Sequence, residues 1–201
     1  MDLNLPVFKY IYKTRQLPPG IKVGTMKNQD YFKGTAAHRV TIFSRFPSLR
    51  SFEVSDDLTS ICQEFDTAIG RIAVYGTIVG TLFNKSPYLE IELINCIKDC
   101  QKISREAEYF CLAGGLNTSF QDDEKEYQMI GKGRINKLRE MCEVCKLDLT
   151  TKDLAKNIDH IFLSKLLVHY LEAPPKIFIG KDELSDHQGV LLNLQFKSAS
   201  L

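Results

Sequence analysis

Two short stretches of this sequence pair cations with aromatic rings. "SRFPSLR", residues 44–50, carries Arg45, Phe46 and Arg50, and "LFNKSPY", residues 82–88, carries Phe83, Lys85 and Tyr88. A guanidinium or ammonium meets a phosphate, and a neighbouring ring gives a base a face to stack on. That combination is what binding of single-stranded nucleic acid requires. Arg39 and Phe43, on the run just before, extend the first set. The same rings also suit plugs for the ends of a small barrel, with the cations simply solvated. Glu90 and Glu92, close after the second set, weaken its field and argue for modest affinity.

Other chemistry-bearing residues are sparser. Cys142 and Cys145 form the one C-x-x-C of the chain, but the nearest further ligands, His160 and His169, have no zinc-finger spacing. Both thiols fall on one helical stripe with Leu138 and Met141, so core cysteines are the better reading and no metal is expected. "GKGR", 131–134, lacks the Lys-Ser/Thr of a phosphate loop. His38, His160, His169 and His187 stand apart from plausible nucleophiles in sequence, although sequence does not exclude a spatial cluster. The expectation is a protein that is not an enzyme and uses no cofactor.

The totals are those of an ordinary globular chain of 201 residues, 44% hydrophobic and 25% charged, with six cysteines. No apolar run approaches a membrane span and "MDLNLPVFKY" does not read as a signal peptide, so a nuclear or cytosolic setting and reduced thiols are expected. Charge is unevenly spread. Residues 1–50 hold nine Lys or Arg against Asp2 and Asp30, a net +7, which leaves −6 for the remainder. Such asymmetry suits an anionic partner for the basic segment, or a solvated arm.

The elements that would position these residues follow from periodicity. Residues 1–37, broken by Pro6, Pro18, Pro19, Gly20, Gly24 and Gly34, read as a basic N-terminal arm. Strands are expected at "HRVTIF", "RSFEV", "ICQEF", "RIAVYGTIVGTLF" and "YLEIELI", the last by its alternation of Leu89, Ile91 and Leu93 with Glu90 and Glu92. Between the second and third, Asp56 and Asp57 offer side-chain oxygens to backbone N–H groups and turn the chain. A helix over 99–111 then carries Cys100, Ile103, Ala107 and Phe110, and Gly114–Gly115 stops it. The acidic stretch 116–132 reads as a linker. Helices after Gly133, at 150–158 and at about 159–172, with a closing hairpin, make 133–201 a winged-helix-like domain.

Five short strands and a closing helix, over 38–115, are the order of an OB-fold barrel. "FEVSDDLTSICQEF" and "RIAVYGTIVGTLFNKSPYLEIELINCI" resemble paired strands of the middle subunit of replication protein A and of its counterpart in the CST telomere complex. Divergent telomere-capping proteins of this class, such as the fly protein Verrocchio, are a more distant likeness. Departures are Ser60, where the family has a glycine, and a first strand without its usual glycine. The resemblance implies a non-catalytic subunit of a single-stranded-DNA-binding complex at the nuclear chromosome, most specifically the telomere. It implies that Cys100, Ile103, Ala107 and Phe110 meet a smaller OB-fold subunit, and that the C-terminal domain, whose third helix shows Asp159, Lys165 and Glu172, meets further telomere or replication proteins. The competing expectation is a pure interaction scaffold without nucleic-acid binding; an RNA-binding accessory factor is a third.

Overall fold

A computed structural model describes residues 21–24, 39–81, 84–179 and 187–195. Most of the basic arm, and Phe83, therefore lie outside the described residues. The strands are β1 (Ile21–Gly24), β2 (Thr41–Ser44), β3 (Ser48–Phe52), β4 (Ser60–Thr67) and β5 (Gly70–Ile78). Helix α1 (Tyr88–Glu106) follows, then β6 (Tyr109–Gly115), α2 (Lys132–Cys145), β7 (Leu147–Leu149) and β8 (Asp159–Ser164). A short α3 (Lys165–Val168), β9 (Lys176–Ile179) and β10 (Gly189–Leu191) complete the order. No helix among the described residues is long and apolar enough to cross a membrane.

The centre is a six-stranded sheet in the order β3-β4-β5-β6-β8-β7. Strands β5 and β6 are parallel and every other pair in it is antiparallel. Parallel neighbours need a crossover, and α1 supplies it. The pairs β1–β2 and β9–β10 are separate antiparallel ribbons. An open mixed sheet with a crossover helix is not a five-stranded closed barrel, so the OB-fold expectation is overturned.

The error has a local cause at α1. "YLEIELI" alternates as a strand would, but over 19 residues Leu89, Leu93, Cys96, Cys100 and Ile103 make one buried stripe at helical spacing. That stripe packs on Tyr75, Phe110 and Leu112, which point from β5 and β6 toward the helix. The expected partner face is consequently core: Cys100 and Ile103 are fully buried on α1, and Phe110 is buried on a strand. Ala107 is the extended residue at which α1 ends.

"YFCLAGG" is likewise a strand, because Gly114 lets β6 press against β5. A Cβ there would stand 1.8 Å from the Thr77 carbonyl oxygen. The winged-helix expectation fails in the same way, since 159–164 is β8 and only Lys165–Val168 is helical. The stretch expected as a linker buries Leu116, Phe120 and Ile130 in the common core. Helix α2 and the β9–β10 hairpin lie where the pattern placed them. The six cysteines are unpaired. Burial pushes the Cys111 and Cys142 thiols up to about 12, as a core thiol without a cationic neighbour should be.

Candidate active site at the end of the central sheet

Strands β5, β6 and β8 end on one line. Ile78 stands beside Gly115, and Gly115 beside Asp159. Two more backbone bonds carry the ladder past the strand ends: Val79 N–H donates to the Gly115 carbonyl at 2.9 Å, and Leu116 N–H to the Ile158 carbonyl at 3.0 Å. The segments that leave this line bring together side chains that are distant in sequence.

Asp159, the first residue of β8, presents its carboxylate to the connection between β9 and β10, where His187 Nδ1 lies 2.7 Å from Asp159 Oδ2. Both side chains remain partly open to solvent. Asn117, two residues past Gly115, has φ +51, a left-handed conformation that asparagine tolerates. Its Nδ2 donates to the Val79 carbonyl at 2.7 Å, which fixes the amide across the strand ends. Gly80 takes φ +89, and a side chain there would collide with Asn84 and Asn117. Glu92 of α1 holds this turn by accepting from Gly80 N–H at 2.6 Å, Thr81 N–H at 3.1 Å and the Thr81 hydroxyl. Among the described residues, Asn84 Oδ1, Gln188 Oε1 and, on α1, Glu90 Oε2 are buried oxygens without a hydrogen-bond partner. Asn84 and Gln188 lie on the loops next to Gly80 and His187.

The arrangement can orient an imidazole. A carboxylate accepts only, so Nδ1 of His187 carries the donated proton and the lone pair of the neutral ring lies on Nε2. That nitrogen can take a proton from water or, once protonated, donate to an anionic oxygen. Among the described residues, no three His, Cys, Asp or Glu side chains converge as a cation site.

The residues singled out by sequence scatter. Lys85 and Tyr88 are exposed, on the segment that runs from Asn84 into the start of α1. Arg45 lies over the Phe46 ring at 5.8 Å in the β2–β3 turn, Phe43 is on β2, and Arg39 precedes it. Arg50 is turned away. It pairs with Glu64 at 3.1 Å and Glu106 at 3.9 Å and stacks on Phe52, beside a shallow cleft lined by Leu49, Glu64, Asp66 and Arg71. That cleft lies toward the start of β5, at the other end of the sheet from Ile78. Sequence reading missed Asp159, His187 and Asn117 as a group. Their separation left no spacing to detect; Gly114, Gly115 and Asn117 were the one local sign of a turn.

No known protein family matches the chain by sequence, and no curated protein does either. Solved structures do match its fold. A 3′ phosphatase, NExo, from Neisseria, bound to a product DNA hairpin, has a TM-score of 0.67 and 13% identity over 97% of this chain and 95% of that one. An AP endonuclease from Archaeoglobus fulgidus gives 0.65 and 10% over 97% and 85%. The endonuclease domain of TRAS1, a telomere-specific non-LTR retrotransposon, gives 0.61 and 12% over 89% and 81%.

The chain has the fold of the endonuclease/exonuclease/phosphatase enzymes, as in a further match from Beutenbergia cavernae. The likeness to replication protein A and the CST complex is thereby overturned. The expectation of a non-catalytic OB-fold subunit falls with the barrel and the docking face on which it rested, and the solved structures that share this fold are named as enzymes.

Proposed function

We propose that this chain is a phosphoester hydrolase acting on DNA, with His187 as the group that handles the proton. The observation that carries the reading is the 2.7 Å contact between His187 and Asp159 at the point where β5, β6 and β8 end together. Asp159 orients the imidazole, and Nε2 withdraws a proton from attacking water or returns one to the leaving oxygen. Asn117, tied to Val79, offers Oδ1 and its second amide hydrogen to water or a phosphoryl oxygen. Lys85 and Tyr88, exposed on the segment after Asn84, supply a cation for the neighbouring phosphate and a ring for a base. The fold supports this reading by analogy, since one neighbour with it is bound to a DNA product.

The test is a labelled DNA hairpin carrying a 3′-phosphate, incubated with the chain in buffers with and without a divalent cation. Release of phosphate or shortened strands by the wild-type chain, lost in His187→Ala, is the expected result. Absence of product in both buffers, or equal rates from His187→Ala, would sink the reading.

A further inference from the structure

We propose that His160 is a positioning residue for this site, locking the turn that carries Asn117 to the strand that carries Asp159; the inference rests on the function proposed above. Adjacent residues of a strand point to opposite faces, so Asp159 faces the site while His160 is buried in the core. There its Nε2 lies 2.8 Å from the carbonyl oxygen of Thr118, the residue after Asn117. A carbonyl can only accept, so Nε2 carries the proton and Nδ1 the lone pair. The Thr151 hydroxyl, 2.9 Å away, donates to that lone pair. The Thr151 oxygen in turn accepts from Ile161 N–H at 3.1 Å. The three bonds run in one direction and leave no orphan.

Packing makes the lock stiff. The Phe120 ring stands edge-on to the imidazole at 4.8 Å, and Thr118 and Thr151 are fully buried. Thr118 is fully buried, so deleting His160 leaves a buried acceptor without that partner beside Asn117. Asn117 already sits at a positive φ, which the turn must hold in place. Burial holds the His160 imidazole down to about 4, so the neutral tautomer that this geometry needs is the one present at ordinary pH. An apolar ring filling the same space would pack as well but would not specify the turn.

The experiment is hydrogen exchange of the Asn117 side-chain amide, followed by NMR on the full chain, beside affinity for a single-stranded DNA oligonucleotide. In His160→Leu the Asn117 amide should exchange about tenfold faster, with the Leu112 backbone amide unchanged. DNA affinity should fall about fivefold. His160→Gln, whose side-chain amide can reach the same carbonyl, should restore both. Should His160→Leu fail to fold, Thr151→Val carries the test, with Asn117 exchange rising about threefold. Unchanged exchange at Asn117, or an equal rise at Leu112, would overturn the positioning role. A wild-type chain that neither binds nor cleaves DNA would remove the proposed function, while exchange at Asn117 would still decide what His160 holds.

Discussion

Asp159 and His187 meet at 2.7 Å across 28 residues of chain, one at the first position of β8 and the other on the β9–β10 connection. The contact therefore exists only when the hairpin folds back onto the sheet. Asp159→Asn keeps the shape but replaces an obligate acceptor by an amide that can also donate, so it no longer enforces the tautomer with the lone pair on Nε2. The expected result is a fall in kcat of roughly 100-fold or more with KM little changed, by analogy with carboxylate-to-amide changes in acid–imidazole pairs. Steady-state kinetics on the 3′-phosphate hairpin measures it. A fall confined to KM would mean that the pair binds substrate and moves no proton.

Gly115 lies opposite Asp159, and a Cβ at Gly115 would stand 3.0 Å from Asp159 Oδ1. Gly115→Ala must push that carboxylate aside by a few tenths of an ångström while leaving the ladder intact. Activity should drop by about tenfold, with stability changed by no more than ~1 kcal/mol. Kinetics beside urea denaturation separates the two. A large loss of stability with normal specific activity would place the strain in the sheet and leave the site untouched.

What could be read from sequence divides by range. The turn at Asp56 and Asp57 is local, and it stands for Asp56, whose carboxylate accepts from Leu58 N–H at 2.9 Å and from the Thr59 hydroxyl at 2.7 Å. Helix α2 shows its stripe of Ile135, Leu138 and Met141 plainly. The α1 segment misled because seven residues that alternate fit a strand as well as a helix, and only the longer run from Leu89 to Ile103 separates the two. The site was hidden for a different reason. Asp159, His187 and Asn117 are assembled by sheet order, above all by the parallel pairing of β5 with β6, and no local pattern encodes that order.

Acid should weaken the fold through His160. Its pKa is held to about 4, chiefly by burial, against an unfolded value of 6.5. Between those values the unfolded chain binds the proton and the native chain does not, so stability rises with pH across the window. The contribution is fully present above pH 6.5 and is lost as the pH falls toward 4, up to about 3 kcal/mol. Urea midpoints at pH 4.5 and 7 should therefore differ less in His160→Gln than in wild type. An unchanged difference would assign the acid sensitivity to other groups.

Asp99 tests how α1 holds the turn between β3 and β4. It is a buried carboxylate on α1 that accepts from Ser55 N–H at 3.0 Å, the Ser55 hydroxyl at 2.6 Å and the Tyr75 hydroxyl at 3.0 Å. Tyr75 OH also lies 3.0 Å from Ser60 Oγ, and Ser60 Oγ 2.8 Å from Thr77 Oγ1. The helix thus holds the β3–β4 turn through one acceptor serving several donors. Asp99→Asn turns one oxygen into a donor facing donors, and a buried mismatch of that kind costs about 1–3 kcal/mol. The urea midpoint should fall accordingly, with specific activity nearly unchanged at temperatures where the variant stays folded, because Asp99 has no bond to Asn117, Asp159 or His187. A change below about 0.5 kcal/mol would show that the network tolerates the swap by rotating its hydroxyls. A selective loss of activity would instead tie α1, through Glu92 on the same helix, to the geometry of the Gly80 turn.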